Sequence, residues 1–155
     1  VDSVNAVSWL PYSNNVASAS GDKTVSVWDA RTGLCVQTLY GHSNSCNGLA
    51  VNNLGTTIVS CDADGVVRSW DTRMVQELSH VDVGRHPLNS VALDRSSNKC
   101  VAASDDGTVK VIDLTAGSVV GELAGHDNAV QSVCLAPNDA YMISGSSDTT
   151  FRLWA

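Results

Sequence analysis

Two sets of residues have the types and spacing of hydrolase machinery: His42, Ser60 and Asp64, and again His126, Ser144 and Asp148. An imidazole placed between a hydroxyl and a carboxylate is the arrangement in which a base takes a serine proton while the acid holds the ring. Both sets have the same internal offsets, and each is followed at one fixed distance by an indole, Trp70 and Trp154. A catalytic set is not expected twice in one chain, so the repetition itself argues for an architectural role. A hydrolase remains the remote alternative.

Other chemistry finds little support. His80 and His86 lie six apart with only Asp82 between them as a further ligand and no Cys nearby, so no metal site is expected. No G-x-x-x-x-G-K phosphate loop occurs, and no cofactor is expected. The five cysteines, at 35, 46, 61, 100 and 134, fit neither a disulfide framework nor a CxxC pair and read as reduced thiols. Lys and Arg number 9 against 16 Asp and Glu, a net charge of −7 with no basic cluster, which disfavours nucleic acid and anionic membranes. With 43% hydrophobic and 16% charged residues in 155, the chain is globular, and no apolar run approaches the ~18 residues of a membrane helix.

The elements that must position these residues recur with one period. Trp28, Trp70, Ile112 and Trp154 are spaced by 42, and Asp22, Asp64, Asp106 and Asp148 keep step. So do the amides Asn5, Asn47, Asn89 and Gln131. Each unit reads as short strands rich in Val, Ile, Thr and Trp, separated by Gly, Pro, Asn and Asp. The first unit predicts strands at about 4–10, 15–20, 24–29 and 34–39, with a tight turn at Asp22 and Lys23. A four-stranded antiparallel sheet with two apolar faces must stack on neighbours, and radial stacking makes a propeller. Trp9, between Ser8 and Leu10, is expected in the core.

With the Gly-His pairs Gly41-His42 and Gly125-His126 and the Trp-Asp pairs Trp28-Asp29 and Trp70-Asp71, the whole chain resembles the WD-repeat β-propeller family. The resemblance implies an all-β fold of four-stranded antiparallel blades, about four of a ring of seven, with repeats at about 1–42, 43–84, 85–126 and 127–155. The chain is then expected to be the C-terminal part of a longer one. The resemblance also implies that His42, Ser60, Asp64 and Trp70 form a structural tetrad, as do His126, Ser144, Asp148 and Trp154. The first unit keeps Ser18, Asp22 and Trp28, its His falling before Val1. The third has Gly84, Ala102 and Ile112 in place of His, Ser and Trp, and is expected to be held by apolar packing alone and to be the least rigid. A propeller offers its loops to partners. The loop residues Asn44, Arg85, His86, Asp127 and Asn128, with the amide row Asn5, Asn47, Asn89 and Gln131, are candidates for a partner-binding face, the alternative being that they only connect strands.

The stretch from Asp22 to Cys35, running on to Leu39-Tyr40-Gly41-His42, is similar to ciliary WD-repeat proteins of the axonemal central apparatus. Ser60-Cys61-Asp62-Ala63, Gly65-Val66 and the degenerate Val81-Asp82-Val83-Gly84 share that likeness. It implies a cytoskeletal scaffold at the bridge between the two central microtubules of motile cilia and flagella. Implied partners are other central-apparatus proteins, an armadillo-repeat subunit among them, with microtubules contacted indirectly because tubulin surfaces are also acidic. The alternative is an adaptor in a ubiquitin-ligase or trafficking complex.

Overall fold

The computed structural model describes residues 2–155; Val1, where the first predicted repeat opens, lies outside the described residues. The first sheet comprises β1 (Val4–Trp9), β2 (Asn15–Ser20), β3 (Thr24–Asp29) and β4 (Leu34–Tyr40). The second has β5 (Cys46–Val51), β6 (Thr57–Asp62), β7 (Val66–Asp71) and β8 (Gln76–Asp82). The third has β9 (Leu88–Leu93), β10 (Lys99–Ser104), β11 (Thr108–Asp113) and β12 (Ser118–Ala124). The fourth has β13 (Val130–Leu135), β14 (Met142–Ser146) and β15 (Phe151–Trp154). Every pairing is antiparallel between sequence neighbours, so each sheet is a meander, and the first strands β1, β5, β9 and β13 lie side by side along the inner edge of an arc.

The turns between second and third strands show why Asp recurs there. Asp22 accepts from the Thr24 N–H at 3.1 Å and from its hydroxyl at 2.6 Å, and Asp106 and Asp148 do the same with Thr108 and Thr150. The carboxylate replaces backbone partners that the tight turn cannot supply.

The core lies between blades rather than within them. Trp70 and Ile58 of the second blade pack on Ala17, Val25, Val27 and Leu39 of the first. Ile112 and Cys100 of the third pack on Val59, Val67 and Val81 of the second. Val130, Val133 and Met142 of the fourth pack on Val101, Ala103 and Val109 of the third. A blade therefore buries its apolar residues only by having neighbours, and the two end faces show the converse. Trp70 is 2% exposed while its repeat equivalent Trp28 is 40% exposed, and Phe151 is open where Val109 is fully buried. Trp9 belongs to the same uncovered face as Trp28: at 64% exposure it is not core, contrary to the sequence expectation, because no blade packs against that side of β1.

Blade three is not held by apolar packing alone. Lys110, buried on β11, pairs with Asp106 at 3.2 Å and with Glu122, its cross-strand partner on β12, at 2.8 Å. The Asp106 carboxylate that lacks a histidine thus takes an ammonium instead.

Candidate functional site: tetrads, amide staples and the loop face

Beneath the loop that joins blades one and two, His42 Nε2 lies 2.6 Å from Ser60 Oγ, and Trp70 Nε1 donates to the same oxygen at 2.8 Å. In blade four His126 Nε2 lies 2.7 Å from Ser144 Oγ, which accepts from Trp154 Nε1 at 2.9 Å. The other ring nitrogen faces a carboxylate in both. A neutral ring protonated at Nδ1 satisfies the series in order: Nδ1–H to carboxylate, Ser O–H to Nε2, indole N–H to Ser. This is also the orientation within a hydrolase triad, and two features disable it as one. The indole N–H takes one of the two lone pairs of the serine oxygen, and Ser60 and Ser144 are wholly buried, out of reach of a substrate.

The carboxylate in blade two is not the predicted one. His42 Nδ1 meets Asp62 Oδ2 at 2.7 Å, whereas Asp64 points outward and accepts from Ser43 Oγ at 2.9 Å and Asn44 Nδ2 at 2.8 Å. The cause lies two residues upstream. Ser20, Ser104 and Ser146 occupy the position of Asp62 in the other blades, and there each hydroxyl accepts from the N–H two residues on. Asp62 does that work with Oδ1, which takes the N–H groups of Asp64 and Val66 at 3.0 and 2.9 Å, and its second oxygen reaches the ring. Asp64 is thereby released to tie down the loop. The readable signal was the Asp-x-Asp at 62–64 where the other units have Ser-x-Asp. In blade four Asp148 keeps the expected role, with His126 Nδ1 at 2.9 Å. The Thr150 hydroxyl, joined by His126 and backbone N–H groups, holds Asp148 well below the usual carboxylate range against desolvation. In blade one Trp28 Nε1 donates to Ser18 Oγ at 2.8 Å.

The amide row also works inside the fold. Asn5 Nδ2 donates to the Cys46 carbonyl, Asn47 Nδ2 to that of Leu88 and Asn89 Nδ2 to that of Val130, each at 2.9 Å. Every one of these bonds crosses from one blade to the next, so the three amides are staples rather than free donors for a partner. Gln131 instead reaches Ser147 Oγ within its own blade at 2.8 Å and is exposed. Of the loop residues, Asn44 is held by Asp64 and its side-chain oxygen accepts from the Ser45 N–H, and Asn128 caps Ala129 in the same way. Arg85, His86 and Asp127 are exposed, at the end of the arc that carries the tetrads. His80 lies elsewhere, on β8, its Nδ1 2.7 Å from Glu77.

The WD domain, G-beta repeat family matches residues 1–29, 33–71, 75–113 and 117–155. Autophagy-related protein 16 of Arabidopsis thaliana is 31% identical over 159 residues, covering 99% of this chain and 31% of that protein. Nuclear distribution protein PAC1 of Arthroderma otae is 29% identical, covering 99% of the chain and 36% of its own length. U3 small nucleolar RNA-associated protein 21 of Saccharomyces cerevisiae is 26% identical over 87% of the chain and 14% of its own length. The chain thus spans about a third of the first two relatives or less of the third. Four matched repeats, each laid down as one radial antiparallel sheet, make this chain a member of the WD domain, G-beta repeat family.

Proposed function

We propose that the chain is a non-enzymatic arc of a scaffold propeller, completed to about seven blades by further repeats, that holds other proteins on its exposed surfaces. The observation that carries this reading is the closure of both His-Ser-Asp sets by an indole: the residues that look like chemistry are spent inside the blades. What remains outward on the tetrad end is polar and rigidly mounted, with Arg85, His86 and Asp127 as the contact candidates. The apolar end faces fit further blades, since the same repeat positions are buried wherever a neighbour is present. A fluorophosphonate probe should leave Ser60 and Ser144 unlabelled in the folded chain; labelling of either would overturn the non-enzymatic reading.

The setting we propose is the axonemal central apparatus, with central-apparatus proteins, an armadillo-repeat subunit among them, as partners. Support for it comes from the likeness of residues 22–42, 60–66 and 81–84 to ciliary WD-repeat proteins. A tagged full-length protein is expected at the central pair of demembranated axonemes, and its null mutant is expected to lose the bridge and swim poorly. Diffuse cytoplasmic signal with normal axonemes would overturn the setting. The names of the relatives, from autophagy to nuclear distribution, favour a second reading, an adaptor in another multiprotein complex, which that outcome would leave standing.

A further inference from the structure

We propose that the groove between blades one and two, at the end of the arc opposite the tetrads, is a docking site for an extended segment of another protein carrying a bulky apolar side chain with a carboxylate close by. This rests on the scaffold reading and names one surface through which it would act. The groove encloses 340 Å³, and its walls include Tyr12, Val36, Gln37, Leu54 and Arg73. The corresponding cavity between blades two and three, lined by the repeat equivalents Leu78, Ser79 and Ser97 among others, holds 170 Å³.

Repeat symmetry separates what blade packing requires from what it does not. Tyr12 and Leu54 occupy one repeat position, and that position is Ser96 and Asn138 in the later blades. The turn therefore folds with a polar residue there, yet in the first two blades it presents side chains that are 95% and 73% exposed. The Tyr12 turn departs from the others as well. Its left-handed residue is Tyr12 itself, at φ 57°, one position earlier than the left-handed Gly55, Ser97 and Asp139. A tyrosine in that conformation is strained, and its side chain stands exposed on the groove wall.

The groove wall breaks a second local rule. Gln37 Nε2 donates to the Thr72 carbonyl at 3.0 Å, but its Oε1 is buried with no partner among the described residues. At the equivalent position of blade two, Ser79 is paired with Ser69 at 2.7 Å, and blade three has Gly121. An unpaired buried acceptor works against stability, and such departures from consistency concentrate where surfaces are used.

Charge selects the occupant. In a chain of net charge −7 no carboxylate lines this groove, and its one charged wall residue is Arg73. The Asp71 carboxylate sits 3.8 Å from Arg73 Nε and accepts backbone N–H bonds, so the terminal guanidinium nitrogens stay open. An aliphatic or aromatic side chain between Tyr12, Val36 and Leu54 places a nearby carboxylate within reach of that fork, which suits bidentate recognition. One pocket and one ion pair give an affinity on the order of micromolar, as a transient scaffold contact would have.

The test is a random-peptide display selection on the immobilised chain, followed by fluorescence polarisation of the enriched peptides. Winners are expected to pair a bulky apolar residue with Asp or Glu within a few positions. Leu54→Ser and Arg73→Glu should each weaken them by about tenfold or more. A repeat selection on Arg73→Glu should turn the preference to Lys and Arg, while Lys99→Glu, elsewhere on the surface, should leave affinity unchanged. Enriched peptides without acidic residues, or indifferent to both groove substitutions, would overturn the site. So would self-association that both substitutions abolish, since the occupant would then be a second copy. Peptides that bind but ignore the groove substitutions would sink this proposal and spare the scaffold reading.

Discussion

A Cβ placed on Gly41 would lie 2.9 Å from Cη2 of Trp70, so the glycine before the loop of one blade is shaped by the indole of the next. Gly125 and Trp154 stand in the same relation at 3.3 Å. The third blade completes the argument: its residue at the Trp position is Ile112, and the glycine position there holds Val83, packed against the cluster that contains Ile112. The isopropyl group fills space that the missing indole leaves. Degeneration of that blade is thus a repacking in which two positions changed size in opposite directions.

Gly41→Val should therefore destabilise the chain by about 1–3 kcal/mol in urea unfolding, through overpacking against a fixed ring. Ile112→Trp alone should be destabilising for the same reason, and adding Val83→Gly should recover part of the loss. Strict additivity in that double-mutant cycle would contradict the contact.

The two aspartates of blade two should separate cleanly. Asp62→Asn removes the charge facing His42 in a fully buried series and is expected to lower stability by about 3 kcal/mol. Asp64→Asn, on an exposed side chain, should leave the unfolding midpoint unchanged but loosen the loop at Ser43 and Asn44, visible as faster amide exchange there. The opposite ranking would restore Asp64 to the tetrad.

The register of the strands was legible because nothing interrupts the period: the predicted turn at Asp22 and Lys23 and the third strand Thr24–Asp29 stand as read. What the sequence could not supply were relations that depend on a neighbouring blade. Trp9 has the apolar character of a core residue, but burial is conferred by a facing sheet, and β1 has one only on the side away from Trp9. Asn5, Asn47 and Asn89 looked like a polar surface row because a one-dimensional pattern does not reveal that their donors end on carbonyls 41 residues away. The Asp62 exchange, by contrast, left a trace in the Asp-x-Asp at 62–64, but which of the two carboxylates meets the ring is decided only by the built turn, where Asp62 holds the N–H groups with one oxygen and His42 with the other.

Thiol reactivity should divide by burial. Burial pushes Cys46 and Cys100 up to about 12 and Cys61 higher still, whereas Cys35 and Cys134 are exposed. At pH 8 a disulfide reagent should titrate Cys35 and Cys134 quickly, and the other three only at the rate of unfolding. Rapid reaction of Cys61 in the absence of denaturant would show that the packing between blades two and three opens in the native state.

The substitute ion pair in blade three predicts an acid-sensitive contribution to stability. Desolvation pushes Asp106 up, but Thr108 through its hydroxyl and N–H, and then Lys110 and Ser104, outweigh it and hold the carboxyl at about 2. A folded-state value below the unfolded one stabilises above the unfolded value and loses that stabilisation as pH falls through the folded one. Because Asp106 is exposed and its carboxylate screened by solvent, the contribution is no more than about 1 kcal/mol; it is complete above about pH 5 and gone near pH 1. Lys110, held up by Glu122 and Asp106 against its own burial, stays charged across that window and leaves the sign unchanged. Asp106→Asn should accordingly unfold at lower urea than the parent chain at pH 6, with the gap closing steadily between about pH 5 and pH 1. A gap that is constant over this range would mean that the carboxylate acts through shape and hydrogen bonding alone, and that the ammonium of Lys110 is anchored by Glu122.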